Sequence, residues 1–472
     1  MKRTKIVCTL GPATQSPEVM RQLLLSGMNV ARLNLSHGSH ESHAAMIQAF
    51  RQIRDELGVP AAVLLDTRGP EIRLGSFDRP VELKTGQSYT LTTREVNGDE
   101  TRAQVSFAGL PEKVKPGDRI LIDDGKVALQ VLDAAADTVS CIVTAGGRVT
   151  TRKGVNVPGV ALGMPFLPPT EQEDVLFAIG QQADYIAASF TRSRQDVLEL
   201  RQFLNDHGGR RIRIIAKIEN AQGVDNFDEI LAACEGIMVA RGDMGVEIPY
   251  ERLPGLQKRF ISACVREGKT AITATQMLES MVSSPTPTRA EITDVANAVF
   301  DGTSATMLSG ETASGRYPVL AVQAMARILT QAEEYALENG LYAAVRPHGD
   351  PEDITNAISA AACTTARELG AKAIIADTTT GTAARRVSKQ RPEQLIVAAT
   401  PRLQTYHQLA LSWGVVPLLT KSANDVEELL ESTIQTAKAE GLVAAGDTVV
   451  MTAGAPLNVQ GSTNMLKVEQ VP

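Results

Sequence analysis

Residues 212–247, IRIIAKIENAQGVDNFDEILAACEGIMVARGDMGVE, bring together three side chains that could act in phosphoryl chemistry. Strand side chains repeat every two residues, so Lys217 and Glu219 share one face and set an ammonium beside a carboxylate. The next apolar run, Gly236 to Ala240, ends in Arg241-Gly242-Asp243, which brings a second carboxylate to a strand end 24 residues after Glu219. Hard divalent cations such as magnesium take oxygen ligands, often one or two carboxylates plus phosphate oxygens of a substrate. Two carboxylates and a lysine where parallel strands finish therefore suit metal-assisted phosphoryl transfer, with a surface salt bridge as the competing reading.

Other strand ends add polar groups. Arg32, Asn34 and Ser36 share one face at the end of the second strand pattern, and the third ends in Asp66-Thr67. Asn and Ser oxygens with one carboxylate suit a monovalent cation, against the alternative of a solvated strand end. Thr275-Gln276 and Ser309-Gly310-Glu311 close two later strands. His37, His40 and His43 straddle a helix start and lack the i, i+4 spacing of a zinc helix, so no metal is assigned to them. Neither GxxxxGK[ST] nor the protein-kinase motif set is present, which leaves phosphoryl transfer to the strand ends.

The elements that must position these residues recur regularly. Strand patterns begin near Lys5, Asn29, Ala61, Tyr185, Ile212, Gly236, Thr270 and Ser304, with helical patterns between them. Ser16, Ser39 and Thr170 are expected N-caps, and Gly27 an expected C-cap. Eight βα units imply a closed parallel (β/α)8 TIM barrel, over residues 1–70 and 168–344. The 124 residues between the third and fourth strand starts exceed one unit and imply an insertion, residues 71–167. Short alternating strands and Gly, Asn and Asp turns predict an antiparallel β-barrel domain there. Leaving from the C-terminal end of strand three, it would act as a lid hinged at Gly69-Pro70 and Leu167-Pro168-Pro169, or serve as a spacer.

After the turn-rich RPHGDPED, residues 345–472 read as an open α/β domain with a helix capped by Asp353 and Gly370. Strands are expected at AKAIIAD, QLIVAAT and DTVVMTAG. The turn Thr378, Thr379, Thr380, Gly381 and Thr382 opens a helix, where backbone N–H groups and hydroxyls favour a phosphate of an allosteric effector; a capped, solvated helix is the alternative.

Composition narrows the class. A length of 472 residues predicts about three domains, and 43% hydrophobic with 21% charged residues is ordinary for a globular chain. No apolar run reaches membrane-span length and the basic start leads directly into a strand pattern, so a cytoplasmic protein is expected, with no membrane partner. Five dispersed cysteines without a CxxC argue for reduced thiols. A net charge of −7 with no long basic run gives no reason to expect nucleic acid.

The strings KIVCTLGPAT, GMNVARLNLSHG, LLDTRGPEIR, KGVNVPG, AKIEN, MVARGDMGVE and ATQMLESMVSSPTPTRAEITDVANAV, followed by MLSGETA, resemble the pyruvate kinase family in order and along the whole chain. No helical extension precedes strand one, as in bacterial members. The resemblance implies transfer of the phosphoryl group of phosphoenolpyruvate to ADP, then protonation of the enolate to pyruvate. It implies Mg2+ (or Mn2+) on Glu219 and Asp243, and K+ on Asn34, Ser36, Asp66 and Thr67, with Glu71 the residue type that goes with potassium dependence. It gives Lys217 and Arg32 to the phosphoryl group, the Gly242 and Asp243 N–H groups to the substrate carboxylate, and Thr275 to the side from which the enolate is protonated. Arg73, Lys153, Asn34, His37 and Asp124 match nucleotide contacts. A homotetramer and a phosphorylated allosteric effector are likewise implied. The sequence departs from the family pattern at Ser304, where an acid is usual, and at Thr306, Arg68 and Thr191. A magnesium-dependent barrel lyase or aldolase acting on pyruvate, or a silent sugar-phosphate sensor, are the alternatives; intact Lys217, Glu219, Asp243 and Thr275 speak against the sensor.

Overall fold

The computed structural model describes residues 2–341, 353–423, 425–456 and 463–472. The boundary expected at 344/345, and RPHGDPED as far as residue 352, lie outside the described residues.

Eight parallel strands close a barrel in sequential order: Lys5–Thr9, Val30–Asn34, Ala62–Asp66, Tyr185–Ala188, Arg213–Ile218, Gly236–Ala240, Thr270–Ala274 and Ala305–Leu308. Helices cover the outside, so both faces of each strand are apolar and buried. Val7, Val30, Leu64, Ile215, Met238, Ile272 and Met307 fill the interior. Ile6, Leu33, Leu65, Ile214, Ile237 and their neighbours pack outward on the helices. Each such side chain contributes roughly 1.5–3 kcal/mol relative to exposure. The two-residue period then fixes which polar residues, one or two steps further on, point inward at the mouth.

Ser16, Ser39 and Asp353 cap their helices as expected, accepting from the N–H groups of Val19, Ser42 and Asn356. The expected C-caps shift by one residue: Ser26 and Leu369 are the cap residues, and Gly27 and Gly370, both at positive φ, follow them. Thr170 is not a cap. The helix Pro169–Gly180 starts earlier, after Pro168, with no side-chain cap; proline has no N–H to satisfy and its fixed φ suits the first helical position.

The inserted chain has a separate core that includes Ile72, Tyr89, Leu91, Ile120, Leu129 and Val143. Seven strands form one sheet in the order Ile72–Arg73, Gly154–Asn156, Arg119–Ile122, Val127–Ala135, Thr138–Ala145, Ser88–Thr92 and Arg102–Gln104. Its edges meet through a Leu74–Val105 bridge and the Gly75 N–H to Gln104 O bond of 2.9 Å. The pairing departs from a wholly antiparallel one, because Ser88–Thr92 and Arg102–Gln104 run parallel, the segment between them carrying the chain back along the sheet. Phe166 and Leu167 already pack with the outer core of the barrel.

The C-terminal sheet has five strands, in the order Val415–Leu419, Leu395–Thr400, Ala373–Asp377, Thr448–Gly454 and Thr463–Gln470, the last antiparallel. The first and last were not foreseen. Both are edge strands, where Pro417 and the polar, partly exposed run TNMLKVEQ are tolerated and the strand signal is weak. This domain closes the lower end of the barrel: Leu411 joins the interior core, and Tyr185 Oη donates to Gln408 O at 2.6 Å. Among the described residues no helix is long and apolar enough to cross a membrane.

Candidate active site

A cavity of about 840 Å3 lies at the C-terminal ends of the barrel strands, beneath the inserted domain. Lys217 lines it. Its ammonium, buried, donates to Ser189 Oγ at 2.7 Å and pairs with Asp66 Oδ1 at 3.0 Å and Glu219 Oε1 at 2.9 Å. Three N–H donors thus meet three acceptors. Burial alone would lower the pKa, but Asp66 and Glu219 outweigh it and hold the group charged, above its ordinary range. Arg32 sits opposite, its Nε 2.7 Å from Asp66 Oδ2 and its Nη1 2.8 Å from Thr9 Oγ1. Asp66 is fully buried, which by itself would raise its carboxyl, but Arg32 and Lys217 hold it below the usual range.

Glu219 Oε2 accepts the Phe190 N–H at 2.7 Å, and Asp243, in the first turn of the helix Arg241–Glu247, is hydrogen-bonded to Glu219. Burial raises both carboxyls against the opposing Lys217 charge; Asp243 raises Glu219 further, while Asp124 and Glu71 raise Asp243 and its hydrogen bond with Glu219 lowers it. Two adjacent buried carboxylates must share a proton or a cation, and an all-oxygen pair fits a hard divalent ion. Among the described residues no group of three or more His, Cys, Asp or Glu side chains could hold a metal.

Asn34 and Ser36 line the cavity, Asn34 pairing in register with Asp66 on the next strand. Thr67 lies buried beneath, its Oγ1 accepting the Ser189 N–H at 3.3 Å. The donors are oxygens carrying one formal charge, which fits a monovalent cation, although both Asp66 oxygens are already engaged by Arg32 and Lys217. His37, Arg73, Asp124 and Lys153 line the same cavity. Arg73 pairs with Glu71 and donates to Arg152 O at 3.1 Å, while Lys153 pairs with Asp123 at 2.9 Å. His40 and His43 point elsewhere, to Asp174 and to the His37 carbonyl.

Thr275 also lines the cavity, with φ +66°, a conformation β-branched residues rarely adopt. Arg241 Nη2 holds its carbonyl at 2.7 Å while Arg241 Nη1 grips both Asp294 oxygens at 2.8 and 2.7 Å. The Gly242 N–H donates to Thr275 Oγ1 at 2.8 Å. Gly242, expected to offer that N–H to a substrate carboxylate, therefore spends it on Thr275.

Ser309, expected at a strand end but given no role, lines the cavity, as does Ser189, which was not among the expected residues. The inward parity of Tyr185, Ala187 and Met307 carries a readable signal for both. Arg241 carried no such signal, since its role depends on the bend at Thr275. The turn 378–382 lies away from this mouth and folds on itself, Thr378 Oγ1 accepting the Gly381 N–H at 2.9 Å and Arg385 Nη2 donating to Thr380 O at 2.7 Å. Ser304 lies at the opposite end of the barrel, accepting the Ala271 N–H at 3.2 Å, so its departure does not touch the mouth.

The family descriptions "Pyruvate kinase, barrel domain" and "Pyruvate kinase, alpha/beta domain" match residues 1–322 and 356–469. A curated pyruvate kinase of Clostridium acetobutylicum is 45% identical over the full length of both chains. One from Geobacillus stearothermophilus is 46% identical over all of this chain and 80% of its own. A crystal structure of a pyruvate kinase from Cryptosporidium parvum superposes with a TM-score of 0.93 at 39% identity, covering 100% of this chain and 96% of the other.

Proposed function

This chain belongs to the pyruvate kinase family, and we propose that its mouth cavity carries the phosphoryl group of phosphoenolpyruvate to ADP, dependent on Mg2+ and K+. The observation that carries this reading is the Lys217 ammonium, desolvated and held charged between Asp66, Glu219 and Ser189, across from Arg32. Phosphoryl transfer asks a protein for positioning and for fixed charge where charge develops.

Arg32 and Lys217 flank the phosphoryl group. As an ADP oxygen forms its bond to phosphorus and the bond to the enol oxygen breaks, both cations stay in place and need no reorganisation. Glu219 and Asp243 would hold Mg2+ (or Mn2+), and Asn34, Ser36, Asp66 and Thr67 would hold K+, ions that when bound add positive charge beside the phosphoryl oxygens. Arg73, Lys153, His37 and Asp124 take the nucleotide side. Thr275 borders the face from which carbon three of the enolate gains its proton, giving pyruvate. Residues 71–167 serve as the lid over barrel residues 1–70 and 168–344; residues 345–472, with the 378–382 turn, receive a phosphorylated allosteric effector. A cytoplasmic homotetramer accords with the family.

Metal titration tests the carboxylate assignment. Glu219→Gln and Asp243→Asn should each raise the Mg2+ concentration for half-maximal turnover by about tenfold or more. An unchanged Mg2+ requirement in both variants would remove these residues from the metal site.

A further inference from the structure

Glu171, in the first turn of the helix Pro169–Gly180, is buried at 4% exposure and has no cation as a partner among the described residues. The acids near it are both engaged: Asp174 pairs with His40 at 2.7 Å and Arg68 at 3.1 Å, and Asp66 with Arg32 and Lys217. Glu171 instead accepts two neutral hydrogen bonds, one from the Gly69 N–H at 2.9 Å and one from the Thr67 hydroxyl. Burial pushes its carboxyl up to about 7; those two bonds oppose the rise, and Asp174 and Asp66 add to it. An ionised carboxylate in such a place is costly unless positive charge comes near.

Thr67 links that carboxylate to the oxygens assigned to K+. A threonine hydroxyl has one proton and two lone pairs. Glu171 takes the proton, and one lone pair accepts the Ser189 N–H at 3.3 Å. The other lone pair stays available to a cation, with no proton turned toward it. Asp66, the only acid of the set, has its two oxygens bound to Arg32 and Lys217, so its charge is already offset.

We propose that Glu171 is a positioning residue for the monovalent cation: through the Thr67 hydroxyl it supplies the negative charge that Asp66 gives to Arg32 and Lys217, and it fixes the direction of that hydroxyl. Partners of this outer kind set the orientation and basicity of the groups that touch a metal. The proposal rests on reading Asn34, Ser36, Asp66 and Thr67 as the K+ oxygens and adds an acid from another element, the helix after the second root of the insertion. The same carboxylate holds the Gly69 N–H at the first root, so the cation oxygens and the root of the insertion meet on one side chain.

The test is thermal unfolding of the full chain with K+ exchanged for tetramethylammonium at constant ionic strength, a readout independent of turnover. Tm of the wild type should rise with K+ and saturate, as for any ligand of the folded state. Glu171→Gln keeps an acceptor for the Gly69 N–H and removes the charge. In that variant the K+ concentration giving half the rise should increase about tenfold. The K+ requirement of turnover should increase with it, and the Mg2+ requirement should not move. Glu171→Asp, which keeps the charge, should stay near the wild-type midpoint; equal shifts in the two variants would reduce Glu171 to a structural pin and overturn the proposal. Ser36→Ala tests the underlying reading. If it raises the K+ midpoint while Glu171→Gln leaves it unchanged, the proposal is overturned and the K+ oxygens stand. If wild type shows no rise specific to K+, or Ser36→Ala has no effect on it, the K+ reading falls and the proposal with it.

Discussion

Lys217 neutralises Asp66 and Glu219 in the folded chain, and on the proposed function the same contacts hold it charged for a phosphoryl group. Lys217→Met should therefore lose at least about a thousandfold in turnover and also stability, by roughly 3–5 kcal/mol, because buried carboxylates are left without their cation. Single-turnover kinetics and thermal unfolding on the same preparation check both. Thr275 gives a subtler case. Asp294→Asn loosens the grip on Arg241, which holds the Thr275 carbonyl, so kcat should fall roughly tenfold with little change in KM, since a positioning loss acts on the reacting geometry. Equal changes in both constants would point to a general structural defect instead. Strand parity made Lys217 and Glu219 legible in the sequence, and the same parity extends to Ser309, named there without a role, and to Ser189, which carried no charge to draw notice. The engagement of the Gly242 N–H was not legible, because it depends on a left-handed threonine that propensity argues against.

Among elements, the root of the insertion couples most directly to the site. Gly69 has φ +74°, and a Cβ there would come within 2.7 Å of the Phe190 ring and 2.8 Å of Ser189 Cβ. Phe190 in turn binds Glu219, and Ser189 binds Lys217. Gly69→Ala should destabilise by roughly 1–3 kcal/mol and raise KM for both substrates, read by unfolding and steady-state kinetics; a silent variant would uncouple this root from the mouth. Across from it, Glu171 Oε2 accepts the Gly69 N–H at 2.9 Å, so the helix that follows the second root holds the first. The proline pair at 168 and 169 signalled the root but masked the cap, since Thr170 looks like a capping residue until proline at the first helical position makes a side-chain cap unnecessary. Barrel strands, buried on both faces, were readable as apolar runs. The two edge strands of the C-terminal sheet were not, one interrupted by Pro417 and the other polar and largely solvent-facing.

At the scale of the molecule, the C-terminal domain plugs the barrel from below, and that seam sets an acid limit. His407 is buried with neither ring nitrogen hydrogen-bonded, and burial, then Arg54, push its pKa down to about 3, with Asp55 opposing. Its unfolded value is about 6.5, so the unfolded chain binds the proton first: this contribution to stability is whole above about pH 6.5 and is lost as pH falls toward 3. His407→Phe should flatten that acid-side loss in unfolding measured from pH 7 to 4; an unchanged slope would place the sensitivity elsewhere. The three-part architecture was legible because a count of βα units, one overlong gap and a change of strand grammar are long-range signals that local errors do not erase. Phosphoryl transfer to ADP at this mouth is read by following pyruvate release from phosphoenolpyruvate with ADP and Mg2+, with and without K+. Turnover should require ADP and rise with K+. Pyruvate release indifferent to ADP, or none with all components present, would contradict this assignment.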